Sequence, residues 1–96
     1  MKARQLFRFT DRQGDVSVEM VVWALAERTA DRPHGLKYRL YCGLAGTCLV
    51  RYDNETGKGD HRHYGDPQEP YRFLSVDRLL ADFRDDCARL AGWRWE

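Results

Sequence analysis

The sequence has no long hydrophobic run. The longest, Met20 to Ala26, is seven residues, against the roughly 20 needed to cross a bilayer, so a membrane-spanning helix is excluded. It has no marked excess of one charge either. Sixteen Lys and Arg stand against fifteen Asp and Glu, a net charge of +1, which excludes the uniformly cationic surface of a strongly basic domain. Cysteine is scarce. Cys42, Cys48 and Cys87 are an odd number without metal-type spacing, so neither a disulfide framework nor a thiolate metal site is expected. No charged-then-apolar leader precedes the first strand, and together with the unpaired thiols this points to a reducing cytoplasm. Internal repeats and low-complexity segments are absent.

Within those limits, 96 residues with 43% hydrophobic and 12% aromatic content suffice for one compact domain with a core, spanning residues 1–96. Charge is uneven along the chain: residues 1–50 carry eight Lys/Arg against five Asp/Glu (+3), residues 51–96 eight against ten (−2). An anion-binding face must therefore be a local patch, with Arg4, Arg8, Lys37 and Arg39 as candidates.

Lys2 to Thr10 reads as a strand, and Asp11-Arg12-Gln13-Gly14 as a hairpin turn. From Val16 to Leu25, Val16, Val18, Met20 and Val22 form one apolar face; Val21 and Trp23 on the other suggest cover on both sides of the second half. Residues 26–35 form a polar connection. Leu36 to Cys42 alternates with period two, Ala45-Gly46 supplies a tight turn, and Thr47 to Asp53 is its partner, with Cys48, Val50 and Tyr52 on one side. Pro70 to Phe73 is a short extended piece. Ser75 then opens the one convincing helix, with Val76, Leu79, Leu80, Phe83, Cys87 and Leu90 on one face, Leu74 as a staple onto Leu79 and Gly92 as the stop. The expected fold is α+β, an antiparallel meander of four to five strands packed against one C-terminal helix. The aromatics of the tail, Trp93 and Trp95, are expected to dock on the core rather than on a partner.

Between the last long strand and the helix stands GKGDHRHYGD, residues 57–66. His61 and His63 are two apart, so in an extended segment both rings project to one side. Two imidazoles can divide general base and acid work near neutral pH. Lys58 supplies positive charge for a phosphorane, Asp60 can fix a histidine tautomer, and Gly57 and Gly59 let the backbone approach an anion. That set meets the needs of metal-independent RNA cleavage, and no cofactor is required. Asp53, Asp60, His61 and His63 are also acceptable ligands for Mg²⁺ or Mn²⁺ in a competing nuclease reading. Glu19 would be a remote carboxylate in either scheme, or simply a strand residue paired with a surface base. Tyr52 and Tyr71 flank the loop and can stack on a base or cover the core edge. His34 is expected to be an exposed loop residue, and the three cysteines to be buried, inert thiols.

The run YDN, then GKGDHRH, then EPYRF, followed by a short amphipathic helix (residues 51–83), resembles the hallmark segment of the TumE toxins of bacterial and archaeal toxin–antitoxin pairs. The upstream LKYRLYCG and the strand carrying Glu19 and Trp23 are similar as well. The resemblance implies a small cytoplasmic toxin that inhibits growth and is neutralised by a protein antitoxin, commonly a helix-turn-helix protein encoded beside it. Carried onto this chain, the motif positions are Asp53, Asn54, Gly57, Lys58, Gly59, Asp60, His61, His63, Tyr71 and Phe73, with none missing. The expectation is a ribonuclease toxin: His61 and His63 as base and acid in unassigned order, assisted by Lys58, Asp60 and Tyr71. Tyr52, Asp53, Asn54, Gly57 and Gly59 would contact substrate. The alternative class is a non-enzymatic protein-binding module acting through its helix or the Trp93/Trp95 tail. An exposed strand edge leaves a homodimer open.

Overall fold

The structure is a computed structural model that describes residues 3–55 and 57–95. Its strands are β1 (Arg4–Gln13), β2 (Val16–Ala24), β3 (Leu36–Leu44), β4 (Thr47–Asp53), β5 (His61–His63) and β6 (Gln68–Pro70), followed by helix α1 (Val76–Ala91). The sheet is an antiparallel meander in the order β1-β2-β3-β4-β5-β6, and α1 packs across β3 and β4. The α+β expectation is borne out, with six strands: the glycine-rich loop itself supplies β5, and β6 ends at Pro70. Lys2, the expected start of the first strand, lies outside the described residues.

Period two sorts the side chains. Val18, Val22, Leu40, Val50 and Tyr52 are 0–1% exposed beneath Leu79 and Phe83 of the helix, both 0% exposed, and each such large apolar side chain contributes roughly 1.5–3 kcal/mol relative to exposure. Among the described residues, no second layer covers the other face. Val21 and Trp23 are only half-buried there, which corrects the reading of β2 as covered on both sides.

Two turns decide local register. β1 runs through Gln13, so the first hairpin turns at Gly14-Asp15, with Gly14 at φ 60°, rather than at Asp11–Gly14. Ala45 and Gly46 make the second turn at φ 49° and 83°, the pair of positive values a tight two-residue hairpin demands. Just beyond it the register slips: Cys42 faces Val50, but Gly43 faces Cys48. The extra residue, Leu49, is a β-bulge that sends Cys48 to the open face. Cys48 is therefore half-buried, correcting the expectation of a core thiol. Cys42 and Cys87 are buried as expected, and contact with Cys42 together with burial pushes the Cys87 thiol well up, the state of an inert thiol.

The helix caps behave as read. Ser75 is extended, and its Oγ accepts the Arg78 N–H at 3.0 Å. Replacing Ser75 by Ala should lower unfolding free energy by about 1 kcal/mol, read as a shifted urea midpoint at unchanged slope. Leu74 is 57% exposed rather than stapled over the first turn. Gly92, at φ 67°, reverses the chain and returns Trp93 to the core at 3% exposure. Trp95 packs on Trp93 and Phe9, with ring centroids at 5.6 and 5.8 Å, and its Nε1 donates to the Arg84 carbonyl at 3.0 Å. The tail docks, as expected. No helix among the described residues is long and apolar enough to cross a membrane.

Candidate active site

Gly57 and Gly59, at φ 83° and 72°, take left-handed turns that other residues rarely adopt. They reverse the chain so that β5 pairs back on β4: Arg51 faces His63, Tyr52 faces Arg62 and Asp53 faces His61. The connection between β2 and β3 clamps this loop at three points. Asp31 accepts the Gly57 N–H at 2.6 Å, Arg32 Nε donates to the Asn54 carbonyl at 3.0 Å, and His34 Nε2 meets Asp60 at 3.0 Å. Hydrogen bonds from Thr29 and the Gly57 amide hold the Asp31 carboxyl below its usual range.

His34 is therefore not the exposed loop residue expected. Its side chain is 13% exposed and its ring packs on Phe73 at 4.1 Å. Its Nδ1 accepts the Leu36 N–H at 3.1 Å, which leaves Nε2 as the donor to Asp60. Asp60 does orient a histidine, but it is His34, not His61 or His63. It also accepts the Tyr38 hydroxyl at 2.6 Å, and burial together with that bond pushes the Tyr38 phenol well up.

The two candidate catalytic rings stand side by side on the open face, centroids 5.1 Å apart, as their spacing predicted. Asp53, 3% exposed, lies between Arg51 Nε at 2.8 Å and His61 Nε2 at 2.5 Å. Neither contact reaches the geometry of an aligned hydrogen bond. His61 Nδ1 sits 3.0 Å from the Gly59 carbonyl. Both ring nitrogens thus face acceptor oxygens. His63 is the opposite case. Its Nε2 lies 2.9 Å from Arg51 Nη2, a donor, so it serves as acceptor. Burial, reinforced by Arg51, pulls its pKa below the ordinary 6.5. The two rings thus meet opposite partners, oxygens around His61 and a guanidinium beside His63.

Arg51 is the residue that sequence reasoning missed. It bridges Asp53 and His63 and is 30% exposed, a planar cation where a phosphate would meet both rings. The signal was present in the alternation of β4, which places Arg51 and Asp53 on one face, but its use required knowing that β5 pairs there. Lys58 is exposed at the loop tip and close enough to influence His63.

Other candidates fall elsewhere. Tyr52 and Tyr71 lie on the helix side, under Arg62, which sits 5.7 Å from each ring. Their hydroxyls donate to Asp86 and Asp82 at 2.6 and 2.7 Å. With the sheet between them and the histidines, and with 0% and 8% exposure, neither ring can stack on a substrate at that site. Asn54, 0% exposed, ties the loop to β3 by accepting the Tyr38 N–H and donating to the Leu36 carbonyl, at 3.0 and 2.8 Å. The Gly57 amide is already committed to Asp31 and offers no free anion donor. Glu19 lies three strands away, 3.6 Å from Arg39, the surface pair that was the plainer expectation.

Asp53, His61 and His63 each offer a ligand atom within 4.8 Å of the others, and Asp53 Oδ1 has no aligned donor, so their chemistry suits a divalent ion. Asp60, grouped with them in the sequence, faces His34 instead. Arg51 already brings a cation into that space.

The family model described as Toxin TumE matches residues 3–91. No curated protein and no solved structure shows significant similarity to the chain. The match covers nearly the whole chain and includes every residue of the cluster on the open face. The protein therefore belongs to the TumE toxin family, the toxin side of a toxin–antitoxin system, which implies an antitoxin partner.

Proposed function

We propose that the protein is a ribonuclease toxin whose reaction centre is the Arg51, Asp53, His61 and His63 cluster. The observation that carries this reading is the opposed setting of the two adjacent rings: His63 presents an accepting nitrogen beside a guanidinium, and His61 is flanked by two acceptors. His63 takes the proton of a ribose 2′-hydroxyl as its oxygen attacks phosphorus. The bond from phosphorus to the 5′-oxygen breaks, and His61 supplies the proton that this oxygen gains. Arg51, with Lys58 at the loop tip, stabilises charge on the phosphorane. The His61 side chain is only 5% exposed, so its contact with the leaving oxygen must form as substrate binds, since catalytic geometry often tightens only in the complex. Asp53 balances the His61 charge, and Asp60 acts through His34 by holding the loop.

The substrate in this reading is cellular RNA in the cytoplasm, cleavage arrests growth, and a helix-turn-helix antitoxin relieves it. The products are a 2′,3′-cyclic phosphate and a 5′-hydroxyl. A substrate with 2′-deoxyribose at the scissile position should resist cleavage completely. Cleavage of that substrate, leaving a 5′-phosphate, would overturn the scheme and favour the second reading, a metal-dependent nuclease built on Asp53, His61 and His63.

The depressed pKa of His63 sets the pH response. The base must be neutral, so kcat/KM should fall as pH drops through an apparent value below 6.5. An acid limb inflecting above 6.5, or none, would contradict His63 as base.

A further inference from the structure

The cluster occupies one end of an uncovered sheet face, and what continues from it is not a generic polar surface. Paired residues across a sheet share a face. The row through His63 therefore continues as Arg51, Tyr41 and Glu19, and the row through His61 as Asp53, Arg39, Val21 and Arg8. Trp23 and Lys37 form the next row. Of the four cations proposed from the sequence as an anion-binding patch, Arg8, Lys37 and Arg39 are exposed on this face. Arg4 is not among them, because it pairs with Ala24 on the helix side.

The aromatic residues on this face are arranged to present ring surface. Any side chain at Gly43 would collide with the Tyr41 ring, so that ring lies down across the glycine instead of standing off the sheet. The Arg39 guanidinium is 5.4 Å from its centroid. Trp23 is half-buried on the same face. The Arg39 ion pair to Glu19, at 3.6 Å, has both side chains about half exposed, a contact of little energy that a phosphate can replace.

From this placement we infer that the open face is a binding track for single-stranded RNA that leads into the histidine cluster, with Tyr41 and Trp23 stacking bases and Arg39, Lys37 and Arg8 taking phosphates. Flat rings interleaved with cations recognise unpaired bases, whose faces are free. In a duplex those faces are covered by neighbouring base pairs. Tyr41 lies two strand spacings from His63, about 10 Å, within the reach of adjacent nucleotides. The inference rests on the ribonuclease reading for its substrate, but it makes a separate claim about affinity.

The test is fluorescence anisotropy on antitoxin-free protein with a labelled 2′-O-methyl oligonucleotide, which cannot be cut by 2′-hydroxyl attack, single-stranded or annealed to its complement. The single strand should bind at least tenfold tighter than the duplex. Tyr41→Ala should weaken single-strand binding by about ten- to a hundredfold, the range for losing a stacked base, whereas Tyr41→Phe, which keeps the ring, should bind normally. Arg39→Gln should weaken it and lower the salt slope by about one; Arg4→Gln, on the other face, should change nothing. Equal affinity for duplex, or unaltered binding in folded Tyr41→Ala and Arg39→Gln proteins, overturns the track. Binding as described without cleavage of ordinary RNA leaves the track standing and removes the ribonuclease reading, while cleavage indifferent to Tyr41 and Arg39 does the reverse.

Discussion

His63→Ala is expected to slow RNA cleavage by about 10²- to 10⁴-fold, the loss that follows removal of a general base, and to relieve growth arrest without disturbing the fold. The ring is only half-buried on the open face, and it hydrogen-bonds Arg51, a side chain that can turn to water. Truncation therefore removes chemistry with little packing. His61→Ala should show a loss of the same order. The double variant should lose far less than the product of the two, because base and acid act in one step. Cleavage rates for matched, folded proteins and binding of the antitoxin provide the readouts. A His63→Ala protein that cleaves within threefold of wild type would remove the base from the scheme. A toxin acting only by binding would be silenced at a contact surface instead, and Trp93, docked at 3% exposure, is poorly placed to provide one.

Asp53→Ala should be the most destabilising change in the cluster, by about 3 kcal/mol. Removing one member of a buried ion pair typically costs about 3–5 kcal/mol, because the remaining charge stays buried and unbalanced. The lower end applies because the Arg51 guanidinium is 30% exposed and can hydrate. Against the 5–15 kcal/mol total of an ordinary domain, this is a large fraction. Urea denaturation at neutral pH reads it directly as a lower midpoint at unchanged slope. A loss under 1 kcal/mol would mean that the Arg51, Asp53 and His61 contacts do not bear on folding.

The elements legible in the sequence were those with a local period. β2 and β3 announced themselves by alternation, and α1 by its apolar stripe and the Ser75 and Gly92 caps. The same period correctly put His61 and His63 side by side. It also carried the information that Tyr52 and Arg62 face away from them, but only once β4 and β5 were known to pair, a contact across a loop that leaves no periodic trace. The Leu49 bulge was invisible for a related reason: one extra residue reverses the facing of Cys48 without altering composition. Arg51 and His34 were missed because their partners come from other segments. Nothing near His34 in the chain marks it as the donor to Asp60.

The central claim is metal-independent acid–base cleavage of RNA, and the most direct test is antitoxin-free protein with cellular RNA in excess chelator, and again with Mg²⁺ or Mn²⁺, beside a His61→Ala control of matched circular dichroism. The account predicts cleavage in chelator that is lost in the variant. Cleavage only with added metal would contradict it and make Asp53, His61 and His63 ligands, and no cleavage in either condition by protein that still arrests growth would remove RNA as the substrate.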